Sequence, residues 1–112
     1  MRVKTDIHIR GSKVYISARV ARIIDCHSTD VLALHYAGSE VLLRTVKGDG
    51  LFFGRLYPCS GGFRCSNATL ATQLAPESRI ADFRCGDLVM VDSTPMVPII
   101  TRKNYATQEH HL

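Results

Sequence analysis

Gly11-Ser12-Lys13-Val14-Tyr15-Ile16-Ser17, followed at once by Ala18-Arg19-Val20-Ala21-Arg22-Ile23-Ile24, decides how this chain is read. The first stretch is a turn and a short β-branched strand. The second has the apolar spacing of a helix. A looser copy follows fifty residues on. There, Gly61-Gly62-Phe63-Arg64-Cys65-Ser66 runs into Asn67-Ala68-Thr69-Leu70-Ala71-Thr72-Gln73-Leu74. The parallel continues past the helices. Asp30-Val31-Leu32-Ala33-Leu34 leads through a turn to Glu40-Val41-Leu42-Leu43-Arg44, and Asp87-Leu88-Val89-Met90-Val91 leads to Val97-Pro98-Ile99-Ile100-Thr101-Arg102. Each half reads strand, Gly turn, short strand, capped short helix, strand, turn, strand. Such a repeat predicts a pseudo-two-fold object built from two small units, about 3–46 and 53–102. The second unit needs extra residues around Pro76 to Arg84.

Outward from the first motif, Val3 to Ile9 alternates as a strand, with Ile7 and Ile9 on one face and Asp6, His8 and Arg10 on the other. Ser17 is a good N-cap, because its hydroxyl takes up an otherwise unpaired amide of the first turn. The helix is expected from about Ala18 to Asp25, with Val20, Ile23 and Ile24 inward and Arg19 and Arg22 outside. Val31 to Leu34 and Glu40 to Thr45 read as a hairpin around Ala37-Gly38-Ser39. Lys47-Gly48-Asp49-Gly50 marks the boundary between the halves, too short for a free linker. Leu51 to Tyr57 reads as a strand, Pro58 to Gly62 as a turn and Phe63 to Cys65 as a short strand. Ser66 or Asn67 caps a second helix with Leu70, Ala71 and Leu74 inward. The last hairpin, Leu88 to Val91 and Val97 to Thr101, turns at Ser93-Thr94-Pro95. Pro98 inside it argues for an edge or a strand start. From Lys103 the chain is a polar tail, 103–112.

With 112 residues the chain suits one domain, and its 46% hydrophobic content is globular rather than disordered. No apolar run reaches the length of a membrane-spanning helix. The N-terminus lacks the apolar core of a secretory signal, and the expected location is cytoplasmic. The four cysteines, Cys26, Cys59, Cys65 and Cys85, form no Cys-x-x-Cys knuckle, so free thiols are expected and neither zinc nor disulfides. Net charge is +4 and the pI about 9.1, mildly basic. Residues 1–50 carry eight Lys/Arg against five Asp/Glu, and residues 51–112 six against five. An anionic partner would therefore meet the first half more strongly. No catalytic Ser/His/Asp order, His-Glu-x-x-His, phosphate loop or calcium loop stands in the sequence. His110-His111 lies in the tail and is incidental.

Residues 4–44 resemble the AbrB/SpoVT/MazE-like swapped-hairpin domain, in the order strand, Gly-basic turn, strand, helix-starting residue, short helix and closing hairpin. Residues 53–102 resemble a degenerate copy, and Cys85-Gly86-Asp87-Leu88-Val89 is similar to the Gly-Asp that opens the family's closing hairpin. Ser17 and Ser66 stand where the family usually carries Pro, and Asp25 and Ala75 where it usually has Gly. The resemblance implies a mainly β fold with two short helices, a pseudo-two-fold swapped-hairpin β-barrel. Two copies in one chain close the barrel alone, or two chains swap halves as a homodimer.

It also implies double-stranded DNA as partner, transcriptional regulation, no cofactor and no catalysis. Arg10, Lys13, Arg19 and Arg22 are carried over as the contacts, with Arg64 on the second copy. Cations there neutralise phosphates and release counterions, and arginine reads guanine edges. Two other readings stand beside this one. A protein-binding module on the same fold, an antitoxin or assembly adaptor, would show an exposed apolar patch on the second half. An enzyme is the remote one: Gly11-Ser12 and Gly38-Ser39 resemble the self-cleaving Gly-Ser bond of pyruvoyl-dependent decarboxylases, though both read as turn residues.

Overall fold

The protein, seen in a computed structural model that describes residues 5–48 and 54–101, is mainly β with two short helices. In chain order the elements are β1 (Ile7–Arg10), β2 (Lys13–Ser17), α1 (Ala18–Ile23), β3 (Val31–Ala37) and β4 (Glu40–Val46). The second half supplies β5 (Tyr57–Cys59), β6 (Gly62–Ser66), α2 (Ala68–Leu74), β7 (Ile80–Cys85), β8 (Val89–Val91) and β9 (Thr94–Ile100). Every strand pair is antiparallel, and the strands lie in the order β3-β4-β9-β7-β1-β2-β6-β5, with β8 beside β9. Pairs of strands from the two halves alternate along this order, so each half completes the sheet of the other.

Register reveals the repeat. On β2 and β6, Tyr15 lies opposite Arg64, flanked by Val14–Cys65 and Ile16–Phe63. A two-fold through the Tyr15–Arg64 pair carries Ser17 onto Ser66 and Ile16 onto Cys65, and both of the latter are buried. The same rotation carries the hydrogen bond from the Ala18 amide to the Gly61 carbonyl onto that from Asn67 to Ser12. At the other junction, Leu43 lies opposite Val97, both fully buried. The ends of the strand order also approach each other. Val31 bridges Arg55, the Thr29 amide donates to the Leu56 carbonyl, and the Leu56 amide donates to Asp30. This is a short link, not a continuous ladder.

The expected caps form. Ser17 Oγ accepts from the Val20 amide, and Asn67 Oδ1 from the Leu70 amide. Asp25 takes the left-handed conformation after α1, with φ 54°, which a short polar side chain tolerates. Ala75 does not, at φ −137°. Val20, Ala21 and Ile24 are buried and Ile23 half-buried, so the inward stripe of α1 is shifted slightly from the expected one. Leu70 and Ala71 of α2 are buried, with Leu74 packed beside them as expected. Both helices share one core with Ile7, Ile9, Val14 and Ile16. Each such aliphatic side chain, fully buried, contributes about 1.5–3 kcal/mol over exposure.

Three expectations are corrected. First, Ile80–Cys85 is a strand, β7, pairing with β1 and β9. Second, Thr94 and Pro95 belong to β9, and the last turn is Asp92-Ser93, both with positive φ. Third, Pro98 is not at an edge: it faces Leu42 on β4. The chain accommodates it with a bulge. Between Cys85–Ile99 and Val89–Met96, three residues, Gly86 to Leu88, oppose two, Val97 and Pro98. The Gly86 amide donates to the Pro98 carbonyl, and a Cβ on Gly86 would lie 2.8 Å from the proline ring. The bulge divides β7 from β8, where the first half has one continuous strand, β3. Of the expected strand Leu51 to Tyr57, residues 51–53 lie outside the described residues, as do Val3, Lys4, the tail and His110-His111; β5 begins at Tyr57.

Candidate nucleic-acid interface

Alternation along each strand separates two faces of the sheet. Ile7 and Ile9 of β1, Val14 and Ile16 of β2, Cys65 of β6 and Cys85 of β7 enter the core. Their neighbours point the other way, to the face the helices do not cover. That outer face presents Ile80, Asp82 and Arg84 from β7, His8 and Arg10 from β1, Lys13 and Tyr15 from β2, Arg64 and Ser66 from β6, and Tyr57 from β5.

Register sorts these side chains into rows across the strands. Asp82, His8, Tyr15, Arg64 and Tyr57 form one row, each directly opposite the next. Ile80, Arg10, Lys13 and Ser66 form the row beside it. Side chains directly opposite stand about 4.5–5.5 Å apart at Cβ. Gly11, at φ 66°, opens the two-residue turn that brings Arg10 opposite Lys13. Among the described residues of β7, β1, β2, β6 and β5, four Lys/Arg face one carboxylate.

The polar contacts on this face are local. Asp82 accepts from His8 Nδ1 at 2.8 Å and pairs with Arg10 Nη1 at 2.9 Å. The Arg10 hydrogen bond holds the Asp82 carboxyl below its usual range, against slight burial and with His8 adding to the effect. Lys13 Nζ donates to Ser66 Oγ at 2.7 Å, tying β2 to β6. Arg64 and Tyr57 are exposed, and Tyr15 is half-buried.

Three of the five sequence-predicted contacts, Arg10, Lys13 and Arg64, thus meet on one face. The other two do not join them. Arg19 is drawn inward: its Nη2 donates to the Asp6 carboxylate at 3.0 Å and to the Cys85 carbonyl. Asp6 is 5% exposed and also accepts from Ser17 Oγ and the Cys85 amide. Burial alone would push its carboxyl up, but the hydrogen bonds from Arg19, Cys85 and Ser17 outweigh this and hold it below the usual carboxylate range. Asp6 in turn raises the pKa of Arg19. Arg19 therefore works as a clamp between β1 and the end of β7. Arg22 is exposed in the last turn of α1, where it lines a shallow depression with Ala18, Ala21, Asp25, Cys26, Gly62 and Phe63.

Arg84, Tyr15 and Tyr57 were not read as contacts in the sequence. Arg84 stands on β7, an element the sequence pattern does not announce, although Ala81, Phe83 and Cys85 alternate with Asp82 and Arg84. The tyrosines gain meaning only from register, which no local pattern encodes.

The remaining chemistry is quiet. Burial pushes the Cys26 and Cys85 thiols up to about 12 and the Cys65 thiol to about 11. All three stay protonated at neutral pH and are poor nucleophiles. His27 pairs with Asp25 at 3.2 Å on the exposed surface. Among the described residues, no group of three or more His, Cys, Asp or Glu is placed to hold a metal ion, and no helix is long and apolar enough to cross a membrane. Compared with protein-family models, curated proteins and solved structures, the chain matches none of them.

Proposed function

We propose that this protein binds DNA through the outer face of β7, β1, β2, β6 and β5, as a binding protein with a regulatory role rather than a catalytic one. The observation that carries the reading is the convergence of Arg10, Lys13 and Arg64 from three adjacent strands, beside exposed tyrosine and with one carboxylate in their midst. Clustered cations on a face with aromatic side chains suit a polyanion whose bases carry π-faces. The interleaved hairpins and the resemblance to AbrB-like swapped-hairpin domains support the same reading. The contact set is Arg10, Lys13, Arg64 and Arg84, with Arg19 reserved for Asp6 and Arg22 on the helix side.

Fluorescence anisotropy with labelled oligonucleotides over a salt series tests it. Affinity should fall steeply with salt, because each neutralised phosphate releases counterions. Lys13→Glu with Arg64→Glu should weaken binding by about a hundredfold, the order expected when two phosphate contacts are lost and two repulsions added. Arg22→Glu should leave it nearly unchanged. No binding at low salt, or equal loss from the Arg22 variant, refutes the assignment.

A second reading rests on a separate feature. Leu88, Val89 and Met90, at the bulge and along β8, are 51%, 37% and 56% exposed, and β8 pairs only with β9 among the described strands. Such an apolar edge suits a protein partner that adds a strand. Met90→Asp would abolish that association and leave DNA binding intact.

A further inference from the structure

Resting on the reading above, we infer that the DNA held on this face is single-stranded, with bases stacking on Tyr15 and Tyr57 on either side of the Arg64 guanidinium. Tyr57, Arg64 and Tyr15 are directly opposite one another on β5, β6 and β2. With strands about 4.8 Å apart, the two tyrosines stand about 10 Å from one another. Arg64, whose guanidinium is a planar cation able to stack on aromatic faces, is the residue between them in the row. Lys13 and Arg10 occupy the adjacent row, one step along the strands, where the phosphates of a strand laid across the sheet would run.

Dimensions favour a single strand over an undistorted B-form duplex. Five strands span about 19 Å from β7 to β5, whereas the major groove of B-form DNA is about 12 Å wide and admits a helix or a two-stranded ribbon. The flat of the sheet is too broad to enter that groove while the duplex keeps its B-form. A duplex would touch it by phosphates alone, with its bases stacked out of reach of Tyr15 and Tyr57. An extended single strand lies flat and brings its bases to the rings.

The sugar is the remaining distinction: the 2′-hydroxyl is the group by which a protein distinguishes RNA from DNA, and the DNA of the reading above carries none.

The test uses the full chain and three labelled probes at one salt concentration: an oligo-dT strand, an oligo-rU strand of equal length and a mixed-sequence duplex. The oligo-dT strand should bind at least about tenfold more tightly than the duplex, because each stacked base adds to the phosphate contacts. Tyr57→Ala should cost about tenfold on oligo-dT and nothing on the duplex. Tyr15→Phe and Tyr57→Phe should each retain binding, because the ring stacks without its hydroxyl. The chain has no tryptophan and four tyrosines, so its tyrosine emission should be partly quenched by oligo-dT and not by the duplex, and the quenching should diminish in Tyr57→Ala. Equal or tighter duplex binding, preference for oligo-rU, or an unaltered Tyr57→Ala variant overturns the inference while leaving DNA or nucleic-acid binding in place. Failure to bind any of the three probes overturns the parent reading instead.

Discussion

Arg19 closes on the buried carboxylate of Asp6 at 3.0 Å, and the same guanidinium reaches the carbonyls of Cys85 and Gly86. A cation that reads in sequence as a DNA contact on an exposed helix is in the fold a clamp between β1, α1 and the end of β7. Asp6 gathers a hydroxyl, a guanidinium and the Cys85 amide, so its burial leaves it well satisfied. Asp6→Ala strands those donors. Breaking a buried pair from one side typically costs 3–5 kcal/mol, and because Arg19 keeps a wet flank the loss should fall at about 3 kcal/mol. Urea unfolding of the variant measures it; a loss under about 1 kcal/mol would show that the clamp is not structural.

The same carboxylate should govern the acid limit of the fold. Its folded pKa lies below the unfolded value of about 3.9. Its contribution is therefore full above about pH 4 and is lost as pH falls through the folded pKa. Stability measured from pH 5 to pH 2 should decline in the wild type. Asp6→Asn should be less stable at pH 5 and should decline less steeply; parallel curves would remove Asp6 as the cause.

The two N-caps make unequal contributions. Asn67→Ala removes one capping bond and should cost about 1 kcal/mol. Ser17→Ala loses the equivalent cap and also a donor to Asp6, so the cost should exceed that of Asn67→Ala while Asp6 is ionised and should shrink as pH falls below about 4 and the carboxylate takes up its proton. Thermal melts of both variants at two pH values compare them directly.

Gly62 should tolerate no side chain. Its φ is 155°, and an added Cβ would lie 1.9 Å from the Ile16 carbonyl oxygen, a backbone atom held in the β2–β6 ladder. Gly62→Ala should destabilise by at least about 2 kcal/mol. Gly61→Ala next door meets no atom within 4 Å and pays only for its positive φ, so the smaller loss should be there. Both positions have positive φ, so equilibrium unfolding of the pair shows what the steric contact at Gly62 adds to backbone strain.

Asp82 is the carboxylate among the cations of the outer face, engaged by Arg10 and His8. Asp82→Asn should release Arg10 to the ligand and raise DNA affinity by about threefold or more at low salt, with a steeper salt dependence. Being about half exposed, it should change stability little. Weaker binding would show that Asp82 orients Arg10 rather than competing for it.

Much of the secondary structure was legible because it rests on local chemistry. The turn at Gly11-Ser12, the caps at Ser17 and Asn67 and the alternation of Ile7 and Ile9 each act within a few residues. β7 was hidden by Pro76, Glu77 and Ser78, which read as loop and mask the alternation that follows. Pro98 misled because its missing amide argues for an edge, while the bulge at Gly86 lets an interior strand carry it.

The sequence by itself determined the repeat, the strand and helix content, the capping residues and the basic balance of the first half, because these follow from residue type and short-range spacing. Only the tertiary structure decided which cations share a surface. Strand pairing across fifty residues placed Tyr15 opposite Arg64 and Arg64 opposite Tyr57. The burial of Asp6 then engaged Arg19, which keeps one flank in solvent, since a carboxylate in the interior needs a charged partner and a helix-surface arginine was within reach.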